Sequence, residues 1–180
     1  MSATVVRNAA WVVAWDAAKE SHVYLRDADI AFDGGTISHV GGRYEGAAAV
    51  EIDGRDRLII PGLVNIHTHP TSEPLRKGLT DETRSPNFWH SSLYEFLPVF
   101  ANDRDGAIAS MQVAMAELLM SGVTTVADLS IPFDGWLDTL AESGIRAVAA
   151  PMFRDARWFV AEGKRVEYDW DEGAGREAFT

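Results

Sequence analysis

The sequence predicts an α/β protein: a parallel sheet with helical crossovers, preceded by a small β-sandwich. Three observations lead there. Residues 4–60 are a succession of short β-branched and aromatic runs broken by glycine-marked turns. An apolar run, Leu63, Val64 and Ile66, then climbs to a histidine pair, His67 and His69. Beyond it, helical and strand periodicities alternate in the order β-α-β-α-β, which calls for parallel strands joined by helices.

The N-terminal runs are Thr4-Val5-Val6, Trp11 to Trp15, Asp27 to Phe32, Thr36 to Val40, Val50 to Asp53 and Leu58 to Ile60. Asp33-Gly34-Gly35 between two apolar runs is a hairpin signal. Gly41-Gly42 and Asp53-Gly54 mark further turns. His22 and His39 are lone histidines near turns and read as surface residues.

Residues i and i+2 of a strand point to one face, so His67 and His69 project together and Thr68 points away. Two imidazoles placed this way can converge on one metal ion at about 2.0–2.1 Å. The apolar residues before them suit a strand buried on both faces. Pro70 follows as a breaker. The end of a parallel strand is where α/β barrels carry their active sites. A His-x-His pair alone is a weak signal, since such pairs also occur on surface strands.

Residues 71–82 are polar and Gly/Pro-marked and read as a loop. The aromatic stretch 87–98 follows, with Phe88, Trp89, His90 and Tyr94. Residues 102–121 form the clearest helix. Asn102 or Asp103 can cap it, Ala107, Met111, Ala114, Met115 and Leu118 recur at helical spacing, and Gly122 suits its left-handed stop. A strand over 123–128 ends in Asp128, which can cap the next loop and is given no catalytic role. A short helix over 134–143 turns Trp136, Leu137, Leu140 and Ala141 inward, and a third strand covers 145–153. The tail from Glu162 is charged and Gly-marked, with no apolar run for a further strand; 171–180 reads as the start of a helix.

Composition narrows the function. Hydrophobic residues make up 47% and charged residues 24%, ordinary for a soluble globular chain. A formal charge of −11 argues against a nucleic-acid binder, which needs a basic patch. The chain has no cysteine, which excludes disulfides and zinc–thiolate sites. The first residues lack the basic-then-apolar pattern of a signal peptide, and no apolar run approaches a membrane span. The expected setting is cytoplasmic, with no membrane partner.

The segment Pro61 to His69 resembles, position by position, the Pro-Gly-hydrophobic-hydrophobic-(Asn/Asp)-x-His-x-His hallmark of the amidohydrolase superfamily. Gly122 to Asp128 resembles that family's second strand, Gly-Val-Thr-Thr-Val-x-Asp. Leu75 to Leu79 is similar to the Leu-Arg-Gly element of the s-triazine hydrolase and guanine-type deaminase branch, with Lys77 inserted between Arg76 and Gly78. The resemblance implies the first three βα units of a (β/α)8 TIM-type barrel, with residues 1–60 as part of a composite β-sandwich and residues 61–180 as the N-terminal portion of the barrel. It implies a divalent transition metal held by His67 and His69. Zinc is the first expectation, and iron and manganese share such sites. It places Phe88, Trp89 and His90 against a small aromatic or heterocyclic substrate, although aromatics also cap cores.

The resemblance equally implies parts that map onto no residue here: histidines after strands five and six, an aspartate after strand eight and, in some members, a lysine on strand four. A full barrel takes about 250 residues. A catalytic zinc site has three protein ligands and a water. The expectation is therefore a metal-dependent hydrolase of C–N bonds, completed by a complementary C-terminal polypeptide and oligomeric when complete. The alternatives are a non-catalytic truncated remnant and a binding or assembly module.

Overall fold

The computed structural model describes residues 3–80, 103–161 and 165–179. The chain divides into two compact units, Met1–Pro61 and Gly62–Thr180.

The first unit is all β. Its strands are β1 (Ala3–Ala9), β2 (Trp11–Asp16), β3 (Ser21–Leu25), β4 (Ala28–Asp33), β5 (Thr36–Gly41), β6 (Ala48–Asp53) and β7 (Leu58–Ile59). They form a four-stranded sheet, β5-β4-β1-β6, and a three-stranded sheet, β3-β2-β7. The Asp33-Gly34 hairpin joins β4 to β5, with Gly34 at φ 57°. β3 is a strand the sequence did not mark, because its Ser21 and His22 start breaks the apolar pattern. His22 is exposed there against the Trp15 ring. His39 is half-buried, with a ring nitrogen 2.7 Å from the Gly42 carbonyl.

Asp53-Gly54 does not close a hairpin. β6 pairs with β1 and β7 pairs with β2, in different sheets. The Gly54 N–H donates to the Arg7 carbonyl at 2.8 Å, and a Cβ there would meet the backbone of Ala9 and Arg7. Glycine is needed at this point for close backbone approach. One apolar cluster, Ala9, Val12, Ala28 and Ile30 with Leu25 and Ile59 against it, draws on both sheets. Asp29 is buried beside it. It accepts from the Asn8 and Tyr44 N–H groups at 2.8 and 2.9 Å and from Arg7 Nη1 at 2.8 Å.

The second unit is α/β. Its elements are β8 (Leu63–Thr68), α1 (Glu73–Thr80), α2 (Arg104–Met120), β9 (Val123–Asp128), α3 (Trp136–Glu142), β10 (Arg146–Ala149), β11 (Ala156–Ala161), β12 (Arg165–Trp170) and α4 (Ala174–Phe179). β8, β9 and β10 form a parallel sheet in the order β10-β9-β8. Gly62 lets β8 start against β9, since a Cβ there would run into the Thr124 side chain. The Asp103 side chain caps α2, accepting from the Gly106 N–H at 2.8 Å, and Gly122 at φ 83° takes the chain out of it. Met111 and Met115 of α2 pack with Val123 and Val126 of β9, Trp136 and Leu140 of α3, and Ile145.

Four local expectations are corrected. Residues 73–80 are helical, with Glu73 in the first turn, where an acid favours helix. On α3, Leu137 and Ala141 are exposed, while Thr139 is buried with its hydroxyl on the Gly135 carbonyl. The tail beyond Glu162 holds a strand, β12, which pairs antiparallel with β11 just before it through cross-strand pairs such as Trp158↔Tyr168, so no long apolar run is required in the tail. Finally, Leu63, Val64 and Ile66 are exposed. Among the described residues β8 is an edge strand of its sheet, and the helical core lies over the central β9.

Candidate metal centre

β8 ends at Thr68, whose side chain is fully buried and donates to Glu73 Oε2 at 2.8 Å. The other Glu73 oxygen accepts the His69 N–H at 2.8 Å. The His69 carbonyl in turn accepts the N–H groups of Ser72 and Glu73 at 3.0 Å. One carboxylate at the start of α1 therefore clamps the turn that carries the second histidine. Asn65 steadies the first, its side-chain oxygen accepting the His67 N–H at 3.0 Å.

The neighbouring strand orients the imidazole. The Leu129 N–H donates to the Thr68 carbonyl at 2.9 Å, and His69 Nδ1 lies 2.9 Å from the Leu129 carbonyl. A carbonyl only accepts, so Nδ1 carries the proton and Nε2 keeps its lone pair. That arrangement, ring N–H on a backbone carbonyl with the other nitrogen free to ligate, is the usual support of a metal-binding histidine. His67 Nε2 stands 3.1 Å from His69 Nε2, with the rings at 73°. Two nitrogens bound tetrahedrally to one ion at about 2.0–2.1 Å are ~3.3 Å apart. The donor set therefore fits a transition-metal ion. Without one, the same contact is a hydrogen bond from His67 Nε2–H to the His69 lone pair. His67 is exposed and His69 half-buried, so the pair is open to a ligand.

Among the described residues no group of three or more His, Asp or Glu side chains gathers as a metal site. Asp128 is occupied structurally. It is fully buried and accepts from Ser130 Oγ at 2.5 Å and from Trp136 Nε1 at 2.7 Å. Phe88, Trp89 and His90, the expected pocket residues, lie outside the described residues, as does Tyr94. Sequence reading missed Glu73 and Leu129. An acid four residues past the second histidine was a readable signal for Glu73; a backbone carbonyl carries none.

The chain belongs to the amidohydrolase family, whose model matches residues 58–173. Among curated proteins it is similar to 5-methylthioadenosine/S-adenosylhomocysteine deaminase 2 of Archaeoglobus fulgidus. The two are 33% identical over 125 residues, covering 68% of this chain and 28% of that protein. It is also similar to the 5'-deoxyadenosine deaminase of Methanothrix thermoacetophila, at 31% identity over 134 residues, or 74% of this chain and 32% of the relative. Among solved structures it resembles atrazine chlorohydrolase from Arthrobacter aurescens complexed with zinc, with a TM-score of 0.60 and 26% identity. That match covers 84% of this chain and 36% of the other. The chain thus spans about a third of the length of the proteins it matches.

Proposed function

We propose that this chain supplies the metal-binding strand of a metal-dependent hydrolase acting on a C–N bond of a small aromatic or heterocyclic compound. The carrying observation is the 3.1 Å approach of His67 and His69 Nε2, with His69 Nδ1 anchored on Leu129. In this reading β8, β9 and β10 are the first three strands of a (β/α)8 barrel, and residues 1–60 belong to a composite β-sandwich. His67 and His69 bind the ion, zinc by analogy with the atrazine chlorohydrolase complex. Glu73 and Leu129 fix the second imidazole. When bound, such an ion supplies Lewis-acid activation of water. The remaining ligands and the general base come from a complementary C-terminal polypeptide. Relatives named for deamination of 5'-deoxyadenosine and 5-methylthioadenosine support an aminated purine ring as the substrate type. Phe88, Trp89 and His90 are proposed to contact that ring.

Elemental analysis of the completed protein after gel filtration tests the metal assignment. About one or two transition-metal ions per subunit are expected, and His67→Ala with His69→Ala should remove most of them. Full occupancy in the double variant would overturn the assignment. For the pocket, Trp89→Ala should raise KM more than it lowers kcat, because stacking serves ground and transition states alike.

A further inference from the structure

Among the described residues β3 is an edge strand of the sheet β3-β2-β7, paired on one side only. An edge offers unpaired N–H and C=O groups, and proteins usually blunt it with a charge, a proline or a bulge. β3 has none of these. It reads Ser21-His22-Val23-Tyr24-Leu25, and its pairing with β2 runs unbroken from Val12↔Leu25 to Asp16↔Ser21.

The edge borders an apolar face left in water. The register Val13↔Tyr24 and Trp15↔His22 puts Trp11, Trp15, His22, Tyr24 and Arg26 on one face. The Arg26 guanidinium lies 4.7 Å from the centre of the Trp11 ring, and the His22 ring meets the Trp15 ring edge-on at 5.2 Å. Leu58 of β7 stands beside Trp11. Trp11, Trp15, Tyr24 and Leu58 are all exposed. The opposite face, through Val12, Leu25 and Ile59, is the one turned to the core.

The sequence around β3 is complementary to itself. In an antiparallel pair of two copies, facing residues share a face, so the twofold axis passes through one residue of each strand. With the axis at Val23, Ser21 faces Leu25, His22 faces Tyr24 and Val23 faces its own copy. Exposed Glu20 and Arg26 flank the strand at equal distances from Val23. Each end then brings Glu20 of one copy to Arg26 of the other. Opposite charges placed so across a strand pair are stabilising. An axis at Tyr24 would set His22 against Arg26, and an axis at His22 would set Glu20 against Tyr24. Only the axis at Val23 joins the charges and uses the whole strand. In a chain of net charge −11, two copies repel over most of their surface, and a contact that matches acid to base is the kind that can form.

We propose that β3 is the edge through which two copies of this chain associate about a twofold axis at Val23, joining their three-stranded sheets and their aromatic faces into one. The contact depends on β3 and its flanks and is independent of the reading of His67 and His69.

The chain has no cysteine, so Val23→Cys introduces one reporter thiol per copy. In the proposed register the two Cα atoms are about 4.5–5.5 Å apart, within the span of a disulfide. Mild oxidation with diamide should convert most of the folded variant into a linked dimer. Ser21→Cys, four residues along from its own copy, lies more than about 12 Å away and should not link. Sedimentation velocity supplies the second reading. Arg26→Glu and Glu20→Arg should each weaken association about tenfold, since each sets like charges opposite at both ends. The combined Glu20→Arg/Arg26→Glu variant should regain it, because the two positions are roughly 20 Å apart within one chain and meet only between copies. Circular dichroism establishes that each variant is folded. The Val23→Cys link should form both in the 180-residue chain and in the protein completed by a C-terminal polypeptide. Failure to link in either, equal linking through Ser21→Cys, or a combined variant as weak as the single ones overturns the proposal. A link lost only in the completed protein would assign the β3 edge to the C-terminal polypeptide instead.

Discussion

β8 and β9 are neighbours in one parallel sheet, of equal length and similar apolar content, and their burial is opposite. Val123 and Val126 of β9 are 9% and 0% exposed, while Leu63, Val64 and Ile66 of β8 are 49%, 62% and 79% exposed. Composition does not separate them. Position does: β9 has a strand on each side and α2 with α3 over it, whereas β8 is an edge among the described residues. The covered strand ends in Asp128, whose carboxylate is held by Ser130 and Trp136. The uncovered one leads into the histidines, whose nitrogens remain available. The stable part of the unit and its proposed chemical part are thus adjacent strands with different duties.

Truncating the cover over β9 should have the largest effect. Met111 is fully buried against Val123, Val126 and Trp136. Met111→Ala should cost about 2–5 kcal/mol, from lost transfer energy and the cavity left behind. Urea denaturation would measure it. A loss below about 1 kcal/mol would mean that the cluster is too loosely packed to serve as a core.

Trp136→Phe is milder. The ring volume is largely kept, but Asp128 Oδ2 loses its 2.7 Å donor. An unsatisfied buried acceptor costs about 1–3 kcal/mol. Because Asp128 is read as structural, metal content should not change. Loss of metal in a folded Trp136→Phe variant would move Asp128 from the core to the site.

Asp29 offers a buried carboxylate of a different kind. Desolvation pushes its pKa up, but the N–H groups of Asn8 and Tyr44 and the Arg7 guanidinium outweigh it, and the net shift is downward. A depressed folded pKa contributes stability that is fully present above the ordinary value of about 3.9 and is lost as pH falls through the folded value. Acid titration of stability should therefore show a loss beginning below about pH 4 that Asp29→Asn reduces. Were the Asp29→Asn curve to keep the parent's acid limb, this network would not be its source.

The sequence made the histidine pair legible because period-two geometry and a following proline are local signals. α2 was equally plain, from its apolar spacing, Asp103 and Gly122. What escaped was decided by distant partners. Glu73 reads as one polar residue among many until Thr68 and His69 close on its oxygens. β12, Arg165–Trp170, has no continuous apolar stretch and is held by cross-strand pairing to β11. β8 was read as doubly buried because its residues are those of a buried strand; burial, however, is a property of neighbours.

The smallest expected effect probes that last point. Ile66 is the most exposed of the three β8 apolar residues. A side chain already in water has little to lose, so Ile66→Thr in the 180-residue chain should change stability by no more than about 0.5 kcal/mol. Thr keeps the β-branch that suits a strand, so propensity adds little either way. In the completed enzyme the result should differ. If a further element packs on β8, the same substitution removes buried apolar area there and costs about 1 kcal/mol or more. The informative quantity is therefore the difference between the two measurements. Equal small losses in both would mean that β8 stays uncovered, and the proposal that a complementary polypeptide closes a barrel against this strand would fall.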